Sequence, residues 1–393
     1  MKTFGKILVA IAVIVIVGCG IYVGWKRFFQ TEADSQEAVE PSPTQTAKTV
    51  IPVTIPQANL ANKFGFLSAG EGDSEAIINS GAMWVRPHPG PFLWDSMQKE
   101  KGGELSFELT DKVVSDYQKS GLAILATIWP FAEWDQISKS DAAKCAVSSE
   151  DEFLSQNDKK GRGEDDYLPE HRCNPNDWDA YQKWVSQVIE RYDGDGTNDM
   201  PNLKIPIKYW EVMNEPDLDG NERLDFYKQD ANAYIRLLTT TYQAIKGSDQ
   251  SAQVLIAGAA GGNEQFLKFY RTVLRNKDAA AAFDIGNVHC ISNDNYQSFN
   301  VEPYQKMLEG FNLNKPVWVT EAEAIISQDE NVNATQTYES TKKALELKAQ
   351  RIFFTRYSFE SREDLKDRQT DASITPSLDG KDPIAAYKKI TAL

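Results

Sequence analysis

The sequence predicts an α/β chain closed into a (β/α)8 barrel, the TIM-barrel architecture, on three observations. From residue 62 onward, eight short apolar runs alternate with longer segments of helical periodicity. Polar residues able to do chemistry fall at the ends of several of these runs and are spread through the whole chain, as a ring of strand ends around one barrel mouth requires. No Gly-x-Gly-x-x-Gly turn follows the first run, which disfavours an open doubly wound sheet.

In chain order the expected strands are Phe64 to Leu67, Ala82 to Arg86, Ala123 to Ile128, Ile207 to Met213, Val254 to Ala257, Ile285 to His289, Val317 to Thr320 and Ile352 to Tyr357. Strands of this kind carry β-branched and aromatic residues that pack on a pleated surface. The helices expected with them cover 74–80, 109–120, 177–192, 223–246, 263–276, 301–310, 334–350 and 383–391. DWDAYQKWVSQVIERY places Trp178, Tyr181, Trp184, Val185, Val188 and Ile189 on one face. Asp177 can start that helix and GDG at 194–196 can stop it. In KYWEVMNEPD, residues 208–217, Pro216 lacks an N–H and restricts its predecessor, so the strand stops near Glu215 and leaves it at the mouth. Residues 131–176 form a long loop insertion after strand 3, too polar in the middle for a domain of its own. That loop either walls a cleft or faces solvent as an embellishment.

Length allows a large core in one domain plus appendages: 393 residues, with 42 Lys and Arg against 57 Asp and Glu, a formal charge of -15. Such a balance disfavours nucleic acid as a partner, and no basic run interleaved with aromatics lies beyond the N-terminus. Residues 1–28 read as a membrane signal. Lys2 and Lys6 precede the uncharged stretch Ile7 to Trp25, which as a helix rises roughly 28 Å, close to the hydrocarbon core of about 30 Å. Either this is an uncleaved transmembrane anchor, or Ile16-Val17-Gly18-Cys19 is a lipobox and Cys19 carries lipid; cleaved secretion is the third reading. The first two tether the protein to the membrane with its domain outside the cytoplasm, at the cell surface or in the periplasm. Residues 29–57, rich in Glu, Pro, Thr and Ser, are expected as a flexible linker to a domain over 58–393. Cys145 and Cys173 bracket a polar segment that a disulfide would close, the other reading being two separate thiols. Cys290 reads as a buried thiol, and no spacing suggests a zinc site.

A second strand ends as the fourth does. In KPVWVTEAE, residues 316–323, Thr320 and Glu321 emerge at the mouth three strands after Glu215. Paired carboxylates across a barrel mouth suit acetal cleavage, one protonating the departing oxygen while the other stabilises or captures the oxocarbenium-like carbon. Their pKa values must then differ, which burial and mutual repulsion bring about.

Asn214-Glu215-Pro216 behind an aromatic strand, with Trp318-Val319-Thr320-Glu321 on the seventh, resembles the retaining glycoside hydrolases of clan A, nearest in style to families 39 and 5. The likeness runs from about residue 62 to the C-terminus. It implies a retaining β-glycoside hydrolase acting on extracytoplasmic oligo- or polysaccharide by double displacement, with Glu215 as acid/base, Glu321 as nucleophile and Asn214 donating to a sugar hydroxyl. Arg86, ending AMWVR, resembles the clan's strand-two arginine, and a cation there favours the ionised form of Glu321. His289, ending FDIGNVH, resembles its strand-six histidine; His88 is expected as another mouth residue, and His171 has no strong claim. Sugar C–H faces pack on aromatic rings, so Trp94, Trp129, Trp134, Tyr296 and Tyr357 are substrate-binding candidates, whereas Trp318 inside its strand belongs to the core. The sequence departs from the clan at Cys290-Ile291-Ser292, where relatives often carry an aromatic, and at RYSFESRE on strand eight, where many carry a tryptophan. Subsite walls select the sugar, so the alternative is a membrane-tethered carbohydrate-binding or transglycosylating protein with little hydrolysis. No metal and no cofactor is expected.

Overall fold

Parallel pairing joins β1 (Phe64–Ser68) to both β2 (Trp84–Pro87) and β8 (Ala349–Phe354), so the first and last strands are neighbours. The ladder continues on one side through β3 (Ala123–Ile128), β4 (Tyr209–Asn214) and β5 (Gln253–Gly258), and on the other through β7 (Val317–Glu323) and β6 (Gly286–Ile291). Parallel bridges Leu255↔Ile285 and Ala259↔Val288 bring β5 against β6 and close the barrel. This is the expected (β/α)8 architecture.

The structure is a computed structural model describing residues 58–68, 73–147, 168–218, 225–291, 295–361 and 374–393. The expected anchor (1–28) with Cys19, the linker (29–57) and the middle of the insertion lie outside these residues. No helix among the described residues is long and apolar enough to cross a membrane.

Each strand is followed by a helix: α1 (Asp73–Asn79), α2 (Glu108–Lys119), α3 (Trp178–Tyr192), α4 (Ala231–Ser248), α5 (Glu264–Arg275), α6 (Val301–Gly310), α7 (Glu330–Glu346) and α8 (Pro383–Ile390). Local chemistry sets their starts. The Asp177 carboxylate accepts from Ala180 N as the α3 cap. Asp230 accepts from Ala233 N, so α4 begins at Ala231 and not at the expected 223. Asp329 caps α7 from Asn331 N, starting it before the expected 334. Strand eight is also displaced: Phe64 pairs with Ile352 and Phe66 with Phe354, which fixes β8 at 349–354 and leaves Tyr357 beyond its end.

The barrel bore is filled in layers by inward residues two apart along each strand. Trp84, Leu125, Leu255, Trp318 and Phe353 are buried together at its base, with Tyr209 packed against them, and Trp318 is core as expected. The Arg351 guanidinium lies 4.1 Å from the Trp84 ring centre and 4.7 Å from that of Trp318. Two residues further along the strands, the apolar layer gives way to Arg86, Thr127, Glu211, Asn287 and Thr320, all buried.

The Cys145–Cys173 disulfide is present, with Cα atoms 5.3 Å apart, and Cys290 is buried. It clasps the base of the insertion, where Arg172 N donates to Cys145 O at 2.8 Å. From there the segment reaches the loop that follows β4. Arg172 Nη1 donates to Asp225 O at 2.7 Å, Lys228 N to Arg172 O at 2.8 Å, and Tyr227 Oη to Asn174 Oδ1 at 2.6 Å.

Candidate active site

The polar layer is built around a buried ion pair. Glu211 Oε2 accepts from Arg86 Nε at 2.9 Å, from Arg86 Nη2 at 2.7 Å and from Thr127 Oγ1 at 2.6 Å, while Oε1 accepts from Asn287 Nδ2 at 2.5 Å. A carboxylate this deep survives because every oxygen is matched to a donor and its charge to a guanidinium. The rest of the Arg86 fork points toward the mouth. Nη2 donates to Asn214 Oδ1 at 2.6 Å and Nη1 to Glu321 Oε1 at 2.8 Å, with His88 Nδ1 3.5 Å from Nη1.

Above this layer the ends of β4, β6 and β7 converge. His289 Nδ1 lies 2.7 Å from Glu215 Oε1 and 3.7 Å from Glu321 Oε1, and its Nε2 lies 2.8 Å from Thr320 Oγ1. One carboxylate oxygen of Glu215, one of Glu321 and a ring nitrogen of His289 all fall within 4.8 Å of one another. Backbone irregularities aim them there: Met213 and Glu215 have φ of 71° and 38°, and the β6–β7 register shifts between Val288 and His289. Glu215 and Glu321 keep 6% and 5% of their surface exposed.

Burial dominates the electrostatics. It pushes Glu215 up to about 7, against the pull of Arg86 and with the help of Glu211. Burial also raises Glu321, opposed by the Arg86 guanidinium that donates to it. His289 is depressed by burial to about 4, so its ring is neutral at neutral pH. Among the described residues the cation at the pair is Arg86, bonded to Glu321 and not to Glu215.

Five of the expected site residues, Arg86, Asn214, Glu215, His289 and Glu321, thus form one constellation, with His88 at its edge. The aromatic candidates do not join it as a group. Trp94 is fully buried against Trp134, Tyr181 and Trp184, with ring centres 5.1 to 6.0 Å away, and leaves no face for a sugar. Trp129 is also fully buried, its indole N–H donating to Pro89 O at 2.6 Å and its ring between His88 and Phe226. Trp134 is half-buried and held by its N–H on Gln98 O at 2.8 Å. Tyr357 is half-buried, stacks on Phe66 at 4.9 Å and donates to Leu67 O at 2.9 Å; Tyr296 is half-buried after β6.

Sequence reasoning missed Glu211, Thr127, Asn287 and Asp217. The signal for Glu211 was a charge between Trp210 and Val212 in an otherwise apolar strand, which calls for a buried cation. Asp217, just past the Pro216 turn, accepts from Ala260 N at 3.0 Å and Tyr270 Oη at 3.3 Å, tying the Glu215 turn to the β5 side. Burial, and then the neighbouring Glu215, raise it well above the carboxylate range. Among the described residues two groups have cation-binding geometry: Glu215, His289 and Glu321, and the turn residues Asp193, Asp195 and Asp199. In the first, Arg86 already faces Glu321 and repels a second cation.

The family model described as the glycosyl hydrolase catalytic core matches residues 172–380, more than half of the chain. The chain belongs to that family. It is a glycoside hydrolase, and the matched segment carries both carboxylates, Glu215 and Glu321. Among solved structures the hydrolase is similar to a glucosidase from Croceicoccus marinus, at 12% identity and a TM-score of 0.57, covering 85% of this chain and 68% of that one. It is also similar to a family 39 glycoside hydrolase from Bacteroides cellulosilyticus WH2, at 14% identity and a TM-score of 0.52, covering 85% and 65%. A third likeness is to xylanase 10B from Thermotoga maritima, at 14% identity and a TM-score of 0.51, covering 85% and 96%. At these identities the likeness is one of fold, the (β/α)8 barrel. No curated protein matches the hydrolase by sequence.

Proposed function

We propose that the hydrolase cleaves β-glycosidic bonds of oligo- or polysaccharides with retention of configuration, Glu215 serving as acid/base and Glu321 as nucleophile. The observation that carries this reading is the approach of the two carboxylates, with oxygens within 4.8 Å. Retaining pairs stand about 5–5.5 Å apart, whereas inverting pairs leave roughly 6.5–9.5 Å for a water. Charge supports the division of roles. Glu215, pushed up to about 7, holds a proton for the leaving oxygen, and Glu321, bonded to Arg86, is the anion that attacks the anomeric carbon. Glu215 then deprotonates water to hydrolyse the glycosyl ester. Asn214, whose Oδ1 accepts from Arg86 Nη2, is buried with its Nδ2 beside the Glu215 carboxyl group, a donor placed to reach a sugar hydroxyl.

The test is chemical rescue. Glu321→Ala should lose turnover of activated aryl β-glycosides, and azide should restore it with a glycosyl azide of inverted anomeric configuration as product. Glu215→Ala should instead cripple substrates with poor leaving groups more than activated ones. Equal loss on both, with no azide product from either variant, would overturn the assignment.

We further propose that residues 1–28 hold the enzyme at the membrane and 29–57 act as tether, with the barrel outside the cytoplasm. The apolar stretch Ile7 to Trp25 between basic flanks supports this placement. Fractionation of the full chain, with protease access to the barrel in intact cells, tests it.

A further inference from the structure

We propose that Glu211, Asn287 and Thr320 lock the His289 ring as the tautomer with its proton on Nε2, so that Nδ1 is the hydrogen-bond acceptor for the carboxylic acid of Glu215. This rests on the reading of Glu215 as the acid.

The argument follows the protons. Glu211, paired with Arg86 through two bonds at 2.9 and 2.7 Å, is an ionised acceptor. Its Oε1 lies 2.5 Å from Asn287 Nδ2, so the amide of Asn287 is oriented with Nδ2 toward Glu211 and Oδ1 toward Thr320. Thr320 Oγ1 lies 2.8 Å from that Oδ1 and 3.3 Å from Glu211 Oε1. Both neighbours accept, so the single hydroxyl proton of Thr320 goes to one of them. Toward the ring, 2.8 Å away, Thr320 can then only accept, and His289 Nε2 must carry the hydrogen. A neutral imidazole has one ring proton, which leaves Nδ1 as a bare lone pair 2.7 Å from Glu215 Oε1. That contact is a bond when Glu215 is protonated and a lone-pair clash when it is not.

The titratable and charged groups around the pair come from several elements. Arg86 approaches from β2, Glu211 from β4, Asp217 from the turn beyond it, Tyr270 from α5 and Glu321 from β7. Among the described residues, it is the ring that presents a lone pair to Glu215 Oε1, at 2.7 Å. The lock therefore favours the acid before bond cleavage. Once Glu215 has passed its proton to the leaving oxygen, the same lone pair makes its carboxylate a stronger base toward water. Thr320, Asn287 and Glu211 act through His289 and are positioning residues.

The test uses the full chain labelled with 15N-histidine. It has three histidines, and the His289 signals are those lost in His289→Gln. Between pH 6 and 8 the nitrogen shifts should show the Nε2–H tautomer. Thr320→Val removes the acceptor, so the ring should convert to the Nδ1–H tautomer and donate to the Glu215 carboxylate. The basic limb of kcat/KM on an aryl β-glycoside should then move down by about one pH unit. Thr320→Ser should restore both readouts. An Nδ1–H ring or an imidazolium in the wild-type enzyme would overturn the inference, as would a Thr320→Val variant with tautomer and limb unchanged. Failure of the acid reading looks different: Glu215→Gln would keep the wild-type basic limb.

Discussion

Gly258 lies so close to His289 that a Cβ at position 258 would stand 2.0 Å from Nε2. It pairs in register with Asn214, so the end of β5 is cut back where the histidine ring of β6 crosses the bore. Gly258→Ala must displace that ring and break its contact with Glu215. Because small misplacements of catalytic groups are costly, kcat/KM should fall by about 10²-fold, with circular dichroism showing an intact fold. A wild-type rate would mean that the ring's position is immaterial.

Arg86 serves Glu211, Asn214 and Glu321 with one planar fork. A lysine ammonium cannot make those bonds at once, so Arg86→Lys should leave buried carboxylate oxygens unmatched and destabilise the barrel by about 2–4 kcal/mol. Urea unfolding reads the loss directly, and kcat should drop more than KM rises, because Glu321 loses its orientation.

The pH dependence follows from two raised carboxyls. Glu215 must keep its proton, so kcat/KM should fall as pH climbs through about 7. Glu321 must lose its own, and because burial raises it the acid limb should lie above the ordinary carboxylate range. Stability has the same origin. With a folded value above the unfolded one, Glu215 favours the fold fully at low pH, and that contribution disappears as pH rises toward 7. Glu215→Gln, neutral throughout, should gain roughly 1–3 kcal/mol over wild type between pH 5 and 8. Equal melting curves at both pH values would contradict the assignment.

The disulfide joins cysteines 28 positions apart and closes a segment whose base braces the loop after β4. Replacing Cys145 and Cys173 together by Ala should cost about 3–4 kcal/mol by loop entropy. It should also raise KM, since Asp225, Phe226 and Tyr227 lose their anchor on Arg172 and Asn174. An unchanged KM would confine the bridge to stability.

Much of the fold was legible because a parallel barrel buries its strands on both faces, so they read as unbroken apolar runs. β8 was misplaced for the same reason: RIFFTRYSF offers no break, and only pairing with β1 sets its register. In the site, Glu215 and Glu321 were legible as acids at strand ends, where a side chain must reach the mouth. Trp94 and Trp129 also follow strands, but sequence does not say which way a ring turns, and both found partners inside. Glu211 escaped notice because its meaning lies in Arg86, 125 positions away.

The stacked rings and Arg351 at the base of the bore have a kinetic implication. They fill the floor of the barrel, so on the proposed mechanism the attacking water has to enter from the same side as the saccharide. As long as the departing sugar remains seated, it shields the glycosyl ester, and its exit rate then times the second half of the reaction.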